Sequence, residues 1–347
     1  MSPVILIVKT SSLGDILHTF PALERLRVAF PEALFDWVVE EPFAELVRTH
    51  EAVRNVHTIR TKVWRRHLFS ATTRKEIVTF WRKLRRIEYD VTIDWQGNCK
   101  SGLVTGAAKS GQKIGFDYRG APEKMNRLFV NRGVRTDPSS PIRERYIALA
   151  DAYIEMAGGR PGEKSVRTAP PRPRHELPLS PHIMICVGSH WKNKRLSQEV
   201  WLSFLQRIDT TLSPRFSFVW SNAEEREQAT LLARAFPGNG HVPEKMDLTP
   251  LRAFMDETDI VLSVDSMALH LAGTTRARTY GIFGPSSAYV YNPEGGGCFQ
   301  GSCPYGVRFV KRCPRLRRCR TGACTKEIDP EKLFRKFMDW YIGRKQR

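Results

Sequence analysis

The sequence predicts an α/β protein made of two Rossmann-like parallel-sheet domains joined by a proline-crowded connection. Three observations lead there. Short β-branched runs alternate with stretches at helical spacing, the pattern of parallel strands linked by crossover helices. The chain has 347 residues, beyond the size at which one hydrophobic core stops growing. From Gly158 to Pro181 the helical pattern stops, and Pro161, Pro170, Pro171, Pro173, Pro178 and Pro181 gather in a short polar stretch, the composition of a semi-rigid spacer. The divisions read 1–160, a linker 161–181, 182–328, and a last helix in 329–347 that returns to the first domain.

In the first domain, residues 3–8 form an uncharged β-branched run and predict a buried strand. The segment from Asp15 through Phe30 then moves to helical spacing, with Ile16, Leu17, Phe20, Leu23 and Leu26 on one face. Further strands are expected at 35–39, 55–60, 90–94 and 113–116, and helices start near Pro42, Thr72, Cys99 and Ile142. The second domain restarts with strand 182–187 and continues through strands near 216–220, 260–264 and 279–283 with helices between them. No residue-level repeat links the halves; only the strand-turn-helix rhythm recurs. No apolar run approaches the ~20 residues that span a bilayer, and the first strand lacks the flanks of a signal peptide. A cytoplasmic or peripheral protein is expected.

The most informative stretch is Lys9-Thr10-Ser11-Ser12-Leu13-Gly14-Asp15, which turns the first strand into a helix through hydroxyls, a glycine and a carboxylate. Ligands of open α/β sheets bind beyond the carboxyl ends of the strands, so Asp15 is placed in a ligand cleft. The plain alternative is a helix cap. Charge adds a second constraint, because 55 Lys and Arg against 36 Asp and Glu give a net charge of +19. The basic residues cluster between Lys62 and Arg86 and again between Arg308 and Arg320. Nucleic acid, an anionic membrane surface and a phosphorylated substrate all fit such a charge. No signature of a nucleic-acid-binding module accompanies it, so no specific nucleic-acid partner is expected, and a basic, non-catalytic nucleic-acid-binding protein stands as the alternative of a different class.

The opening turn, Phe35-Asp36-Trp37-Val38-Val39-Glu40-Glu41, Ile93-Asp94-Trp95-Gln96-Gly97 and Leu262-Ser263-Val264-Asp265-Ser266 together resemble the lipopolysaccharide heptosyltransferases of glycosyltransferase family 9, the heptosyltransferase I branch most. The resemblance runs in unbroken order to about Pro285 and weakens afterwards. It implies the GT-B architecture, two Rossmann-like domains facing a central cleft, and inverting transfer of L-glycero-D-manno-heptose from ADP-heptose to the Kdo of a Kdo-lipid A acceptor. A later heptose or a different sugar remains the alternative within the family. A monomer at the anionic cytoplasmic face of the inner membrane is the expected setting.

Carried over residue by residue, the resemblance makes Asp15 the catalytic base and Lys194 the phosphate-binding, catalytically needed lysine. Ser189 falls where family members hold a hydroxyl against donor phosphate, and Lys192 and Arg195 lie close enough to Lys194 to compete for its role. Glu224 matches the acidic residue that binds nucleoside hydroxyls. Asp265, Ser266, Met267, Ala268 and His270 belong to the loop that cradles the diphosphate. Met267 replaces the glycine usual there, and a side chain at that position predicts crowding or a strained backbone. On the acceptor side, Lys62, Arg65 and Arg66 match a basic, tryptophan-containing loop, and Lys9, Thr10, Ser11 and Ser12 line the same cleft. Pro122 stands where the family has another acceptor-binding arginine, and Arg119 or Lys124 is the candidate replacement.

Inverting transfer is a single displacement that needs a base on the attacking hydroxyl and positive charge on the departing diphosphate. Asp15 supplies the first; Lys194 and the amides of Asp265 and Ser266 supply the second. No Asp-x-Asp metal-nucleotide motif occurs, so a metal-independent reaction with no cofactor is expected. Five of the seven cysteines, Cys298, Cys303, Cys313, Cys319 and Cys324, crowd one segment. They contain no C-x-x-C pair, which argues against a zinc ribbon.

Overall fold

The computed structural model describes residues 2–161 and 177–343. The chain divides into two compact units, Met1–Thr168 and Ala169–Arg347. Most of the expected 161–181 linker lies outside the described residues.

The first unit holds six parallel strands: β1 (Val4–Val8), β2 (Leu34–Glu40), β3 (Val53–Ile59), β4 (Glu88–Asp94), β5 (Lys109–Phe116) and β6 (Arg132–Val134), in the order β3-β2-β1-β4-β5-β6. β1 is the centre, with Ile5 registered between Phe35 of β2 and Val91 of β4. It reads as a nearly uninterrupted apolar run because both faces are covered: Ile5, Leu6, Ile7 and Val8 are all fully buried. On one face Leu6 and Val8 meet Phe80 and Leu84, from the helix Ala71–Arg85.

The second unit repeats the plan with β7 (His182–Cys186), β8 (Arg215–Val219), β9 (Gly240–His241), β10 (Ile260–Val264), β11 (Arg278–Phe283) and β12 (Gly297–Gln300), in the order β12-β11-β10-β7-β8-β9. Numbered from its own first strand, each sheet therefore runs 3-2-1-4-5-6. The topological switch point, where the strand order reverses and ligands bind in such sheets, falls between β1 and β4 and between β7 and β10. The α/β class expected from the sequence holds. The short edge strands β6, β9 and β12 were not foreseen, since two to four residues carry too little alternation to register as strands.

Two further differences have physical reasons. The helix expected from Asp15 through Phe30 is two helices, Leu13–Leu17 and Phe20–Ala29. Pro21 cannot donate into a preceding turn, and the Thr19 hydroxyl caps the break by donating to the Ile16 carbonyl at 2.6 Å. The Met267 position demands no left-handed backbone: it opens the helix Met267–Ala272, and Ser213 is the sole non-glycine residue with positive φ among those described. The final helix, Pro330–Tyr341, packs in the second unit. Leu333, Phe337 and Trp340 join the core that contains Trp201, Phe204 and Tyr280. Burying one such phenylalanine contributes about 1.5–3 kcal/mol, which is reason enough for the helix to stay there.

Candidate active site

In the first unit the polar turn after β1 is fixed from below by the end of β4. Asp94 is fully buried and accepts from the Gln96 and Gly97 amides, both at 2.9 Å, from the Ser101 hydroxyl at 2.8 Å and from the Asn126 amide at 2.7 Å. Burial pushes its carboxyl upward, against those hydrogen bonds. Gln96, held this way, turns its Oε1 to the Thr10 amide at 3.1 Å and the Ser11 amide at 3.0 Å. Gln96 thereby shapes the turn that carries Asp15. It was visible only as part of the Asp94-Trp95-Gln96-Gly97 run.

Lys9 and Thr10, expected to meet the acceptor, are buried. The Lys9 ammonium donates to the Tyr146 hydroxyl at 2.9 Å and to the Trp95 carbonyl at 3.4 Å, so this lysine braces the turn from within. Ser11 is half-buried and Ser12 exposed. Asp15 is half-buried, and its Oδ2 accepts from the Ser12 hydroxyl at 2.7 Å and the Ser12 amide at 3.3 Å. The cap reading and the base reading thus coexist in one residue: the capping bonds orient the carboxylate without burying it.

Lys62, Arg65 and Arg66 ride on the helix Thr61–Arg66, and all three are exposed. Glu40, at the end of β2, anchors that helix: it accepts from the Thr61 amide at 3.1 Å, from the Thr61 hydroxyl and from Lys100 at 2.7 Å. The Trp64 indole donates to Glu76 at 3.0 Å, tying the helix to Ala71–Arg85. Arg119 is exposed, as is Lys124, whose ammonium lies 5.1 Å from the centre of the Tyr118 ring. Asp36, another residue of the resemblance, is structural. Arg54 grips it with two bonds of 2.9 Å; burial favours its neutral form, yet hydrogen bonds from His57 and Arg54 hold it below the usual carboxylate range.

In the second unit the donor candidates converge at the switch point between β7 and β10. Lys194 and Asp265 form an ion pair with only 7% and 5% of each residue exposed. The Ser286 hydroxyl donates to the same carboxylate, and His270 stands 3.4 Å from its other oxygen. Burial alone would raise the Asp265 carboxyl; the hydrogen bond from His270 and the Lys194 charge outweigh it and hold the group well below the usual carboxylate range. Ser189 is buried and donates to the Asp265 carbonyl at 3.1 Å. Ser266, Met267 and Ala268, at the start of the Met267–Ala272 helix, are half-buried. One expectation fails: the Asp265 amide does not point at a ligand but donates to the Ile282 carbonyl at 3.0 Å, continuing the sheet.

Lys192, Lys194 and Arg195 are now distinct. Lys192 and Arg195 pair with Glu224 at 3.6 Å and 2.9 Å, while Lys194 turns inward to Asp265. Glu224 is exposed, and the hydrogen bond from Arg195 lowers its carboxyl further. The neighbouring Glu225, which sequence reasoning passed over, is buried; it accepts from the Ser221 amide at 2.9 Å and the Ser221 hydroxyl at 2.6 Å. A Cβ added at Gly188 would collide with that carboxylate, which explains the glycine after β7. The seven cysteines are free thiols, and among the described residues no three metal-ligating side chains gather where they could hold an ion. No helix of the described residues is long and apolar enough to cross a membrane.

Two six-stranded parallel sheets, each with a polar turn at its switch point, define an α/β protein of the GT-B glycosyltransferase class. Residues 77–295 match the family model described as glycosyltransferase family 9 (heptosyltransferase), and the chain belongs to that family. It is 31% identical over 287 residues to lipopolysaccharide heptosyltransferase 1 of Escherichia coli K12, covering 81% of this chain and 88% of that protein. It is 30% identical over 288 residues to the protein of the same name from Pseudomonas aeruginosa, covering 82% and 79%. Among solved structures it resembles E. coli heptosyltransferase WaaC with ADP-2-deoxy-2-fluoro heptose, with a TM-score of 0.73 and 29% identity over 86% of this chain and 93% of that one. WaaC with ADP gives a TM-score of 0.77 and 26% identity, over 97% and 99%.

Proposed function

We propose that this glycosyltransferase moves heptose from ADP-heptose to the Kdo of a lipopolysaccharide inner-core acceptor, with inversion at the anomeric carbon. The observation that carries the reading is the buried Lys194–Asp265 pair beside Ser189, Ser266 and His270, at the switch point of the second sheet, in a chain that resembles WaaC bound to ADP and to an ADP-heptose analogue. A lysine whose geometry is set before substrate arrives is suited to stabilise negative charge as it grows on a departing diphosphate. Glu224 takes the nucleoside hydroxyls. Asp15, oriented by Ser12 but still half-buried, accepts the proton of the attacking hydroxyl as its bond to carbon forms. Lys62, Arg65 and Arg66, with Arg119, meet the phosphates of the acceptor.

Lys194 does for the leaving group what a metal ion does in other transferases, so we infer a metal-independent reaction. The chain works at the cytoplasmic face of the inner membrane, where its net charge of +19 favours an anionic leaflet. A panel of nucleotide sugars assayed on Kdo-lipid A tests the whole reading. ADP-heptose is expected to be turned over with the highest kcat/KM, and preferential turnover of another donor overturns it.

A further inference from the structure

The cysteine-bearing segment after β12 has no part in the chemistry above, yet the Lys194 turn is built against it. Lys194 closes a 3-10 turn of three residues, Lys192–Lys194, whose own bonds are Lys194 N–H to the Trp191 carbonyl at 2.9 Å and Arg195 N–H to the Lys192 carbonyl at 3.2 Å. So short a 3-10 turn has little intrinsic stability, and its place must come from outside. Asn193 supplies the link. Its side-chain amide donates to two carbonyls, Leu316 and Cys319, each at 2.9 Å, and these use both donors an amide has. Its own carbonyl accepts from the hydroxyl of Thr325 at 2.8 Å, a residue with no exposed surface.

The same segment holds the lysine's counter-ion. Cys313 N–H donates to the Pro285 carbonyl at 2.7 Å, and Ser287 N–H to the Lys311 carbonyl at 2.8 Å. Between Pro285 and Ser287 stands Ser286, whose hydroxyl donates to Asp265. Residues 311–325 therefore clasp the backbone on both sides of the Lys194–Asp265 pair. The Arg317 guanidinium also lies over the Trp191 ring, 5.5 Å from its centre.

We propose that Asn193 and Thr325 are positioning residues for donor chemistry: they fix the Lys194 backbone so that its ammonium is delivered to the leaving diphosphate. The inference rests on the reading of Lys194 as the cation for that group. A displacement of about 1 Å in a group that stabilises a transition state costs up to ~10²-fold in rate, whereas a segment that only packs would affect stability and both substrates alike.

Kinetics on the full chain with ADP-heptose and Kdo-lipid A separate these cases. Asn193→Ala and Thr325→Val are expected to lower kcat/KM for the donor by roughly tenfold or more and leave the acceptor KM in place, while Thr325→Ser, which keeps the hydroxyl, restores the rate. In a Lys194→Ala background neither change should cost anything further, because the group they position is gone. Equal losses in both backgrounds, equal effects on both substrates, or no loss at all would overturn the proposal. If Asn193→Ala does not fold, the Thr325→Val and Thr325→Ser pair decides alone. Should Lys194→Ala itself leave donor kinetics unchanged, the donor-lysine reading fails and the positioning role falls with it; a clear Lys194 effect without coupling removes the positioning role only.

Discussion

The turns after β1 and β10 each end a central parallel strand, and each begins a short helix with an aspartate nearby, yet the two carboxylates live in opposite environments. Asp15 is half-buried and oriented by Ser12. Asp265 is buried and bound by Lys194, Ser286 and His270. A carboxylate that takes a proton from a substrate needs access; one that holds a lysine in place needs burial beside it. The same strand-turn-helix plan thus leaves one carboxylate half-buried and sets the other against a lysine, and the first environment suits the proton-accepting role proposed for Asp15.

The sharpest way to break this comparison is to neutralise each carboxylate in turn. Asp15→Asn is expected to lower kcat by about 10²–10⁴-fold, the usual share of a general base, with ADP binding and thermal stability nearly unchanged. Turnover at the wild-type rate would remove Asp15 from the chemistry. Asp265→Asn should act first on stability, by about 3–5 kcal/mol, since it leaves a buried lysine without its counter-charge; denaturant unfolding measures it, and a loss below about 1 kcal/mol would show that Lys194 finds water or another partner.

The pH dependence follows the same division. The Asp265 carboxyl is depressed in the folded state, so the stability it contributes is complete above the ordinary carboxylate range and is lost only as pH falls below it. Unfolding free energies of wild type and Asp265→Asn should therefore converge in acid, and a constant gap across pH would contradict the assignment. A smaller effect is expected from replacing Lys62, Arg65 and Arg66 together by alanine. Exposed charges contribute about 0.5 kcal/mol each, so the acceptor KM should rise by roughly tenfold while the KM for ADP-heptose stays constant. An unchanged acceptor KM would refute the acceptor role of this helix. The smallest expected effect is that of EDTA, which should leave the rate as it is; loss of activity restored by Mg²⁺ would replace the lysine-based leaving-group mechanism.

The sheet plan was legible because buried parallel strands write themselves as apolar runs, and β1, β7 and β10 are such runs. Asp15 was legible as a candidate because it follows β1 within a polar turn, whereas Lys194 and Asp265 were picked out of the polar turns after β7 and β10 by the family resemblance. What lay beyond the sequence was partnership across long separations. That Lys194 pairs with a residue 71 positions away, that Lys9 points inward to Tyr146, and that the Asp265 amide belongs to the sheet are outcomes of packing, which no local pattern encodes. The surface that covers Pro330–Tyr341 is of the same kind: an amphipathic helix declares that it has a buried face, not which surface will cover it.

Gly188 carries one more implication. Its missing side chain and the buried Glu225 carboxylate occupy the same space, so the two positions share one volume between the ends of β7 and β8. Natural variation should couple them: lineages that keep glycine at 188 can keep glutamate at 225 on its Ser221 bonds, and a lineage that enlarges the first must shorten the second or move its carboxylate off those bonds.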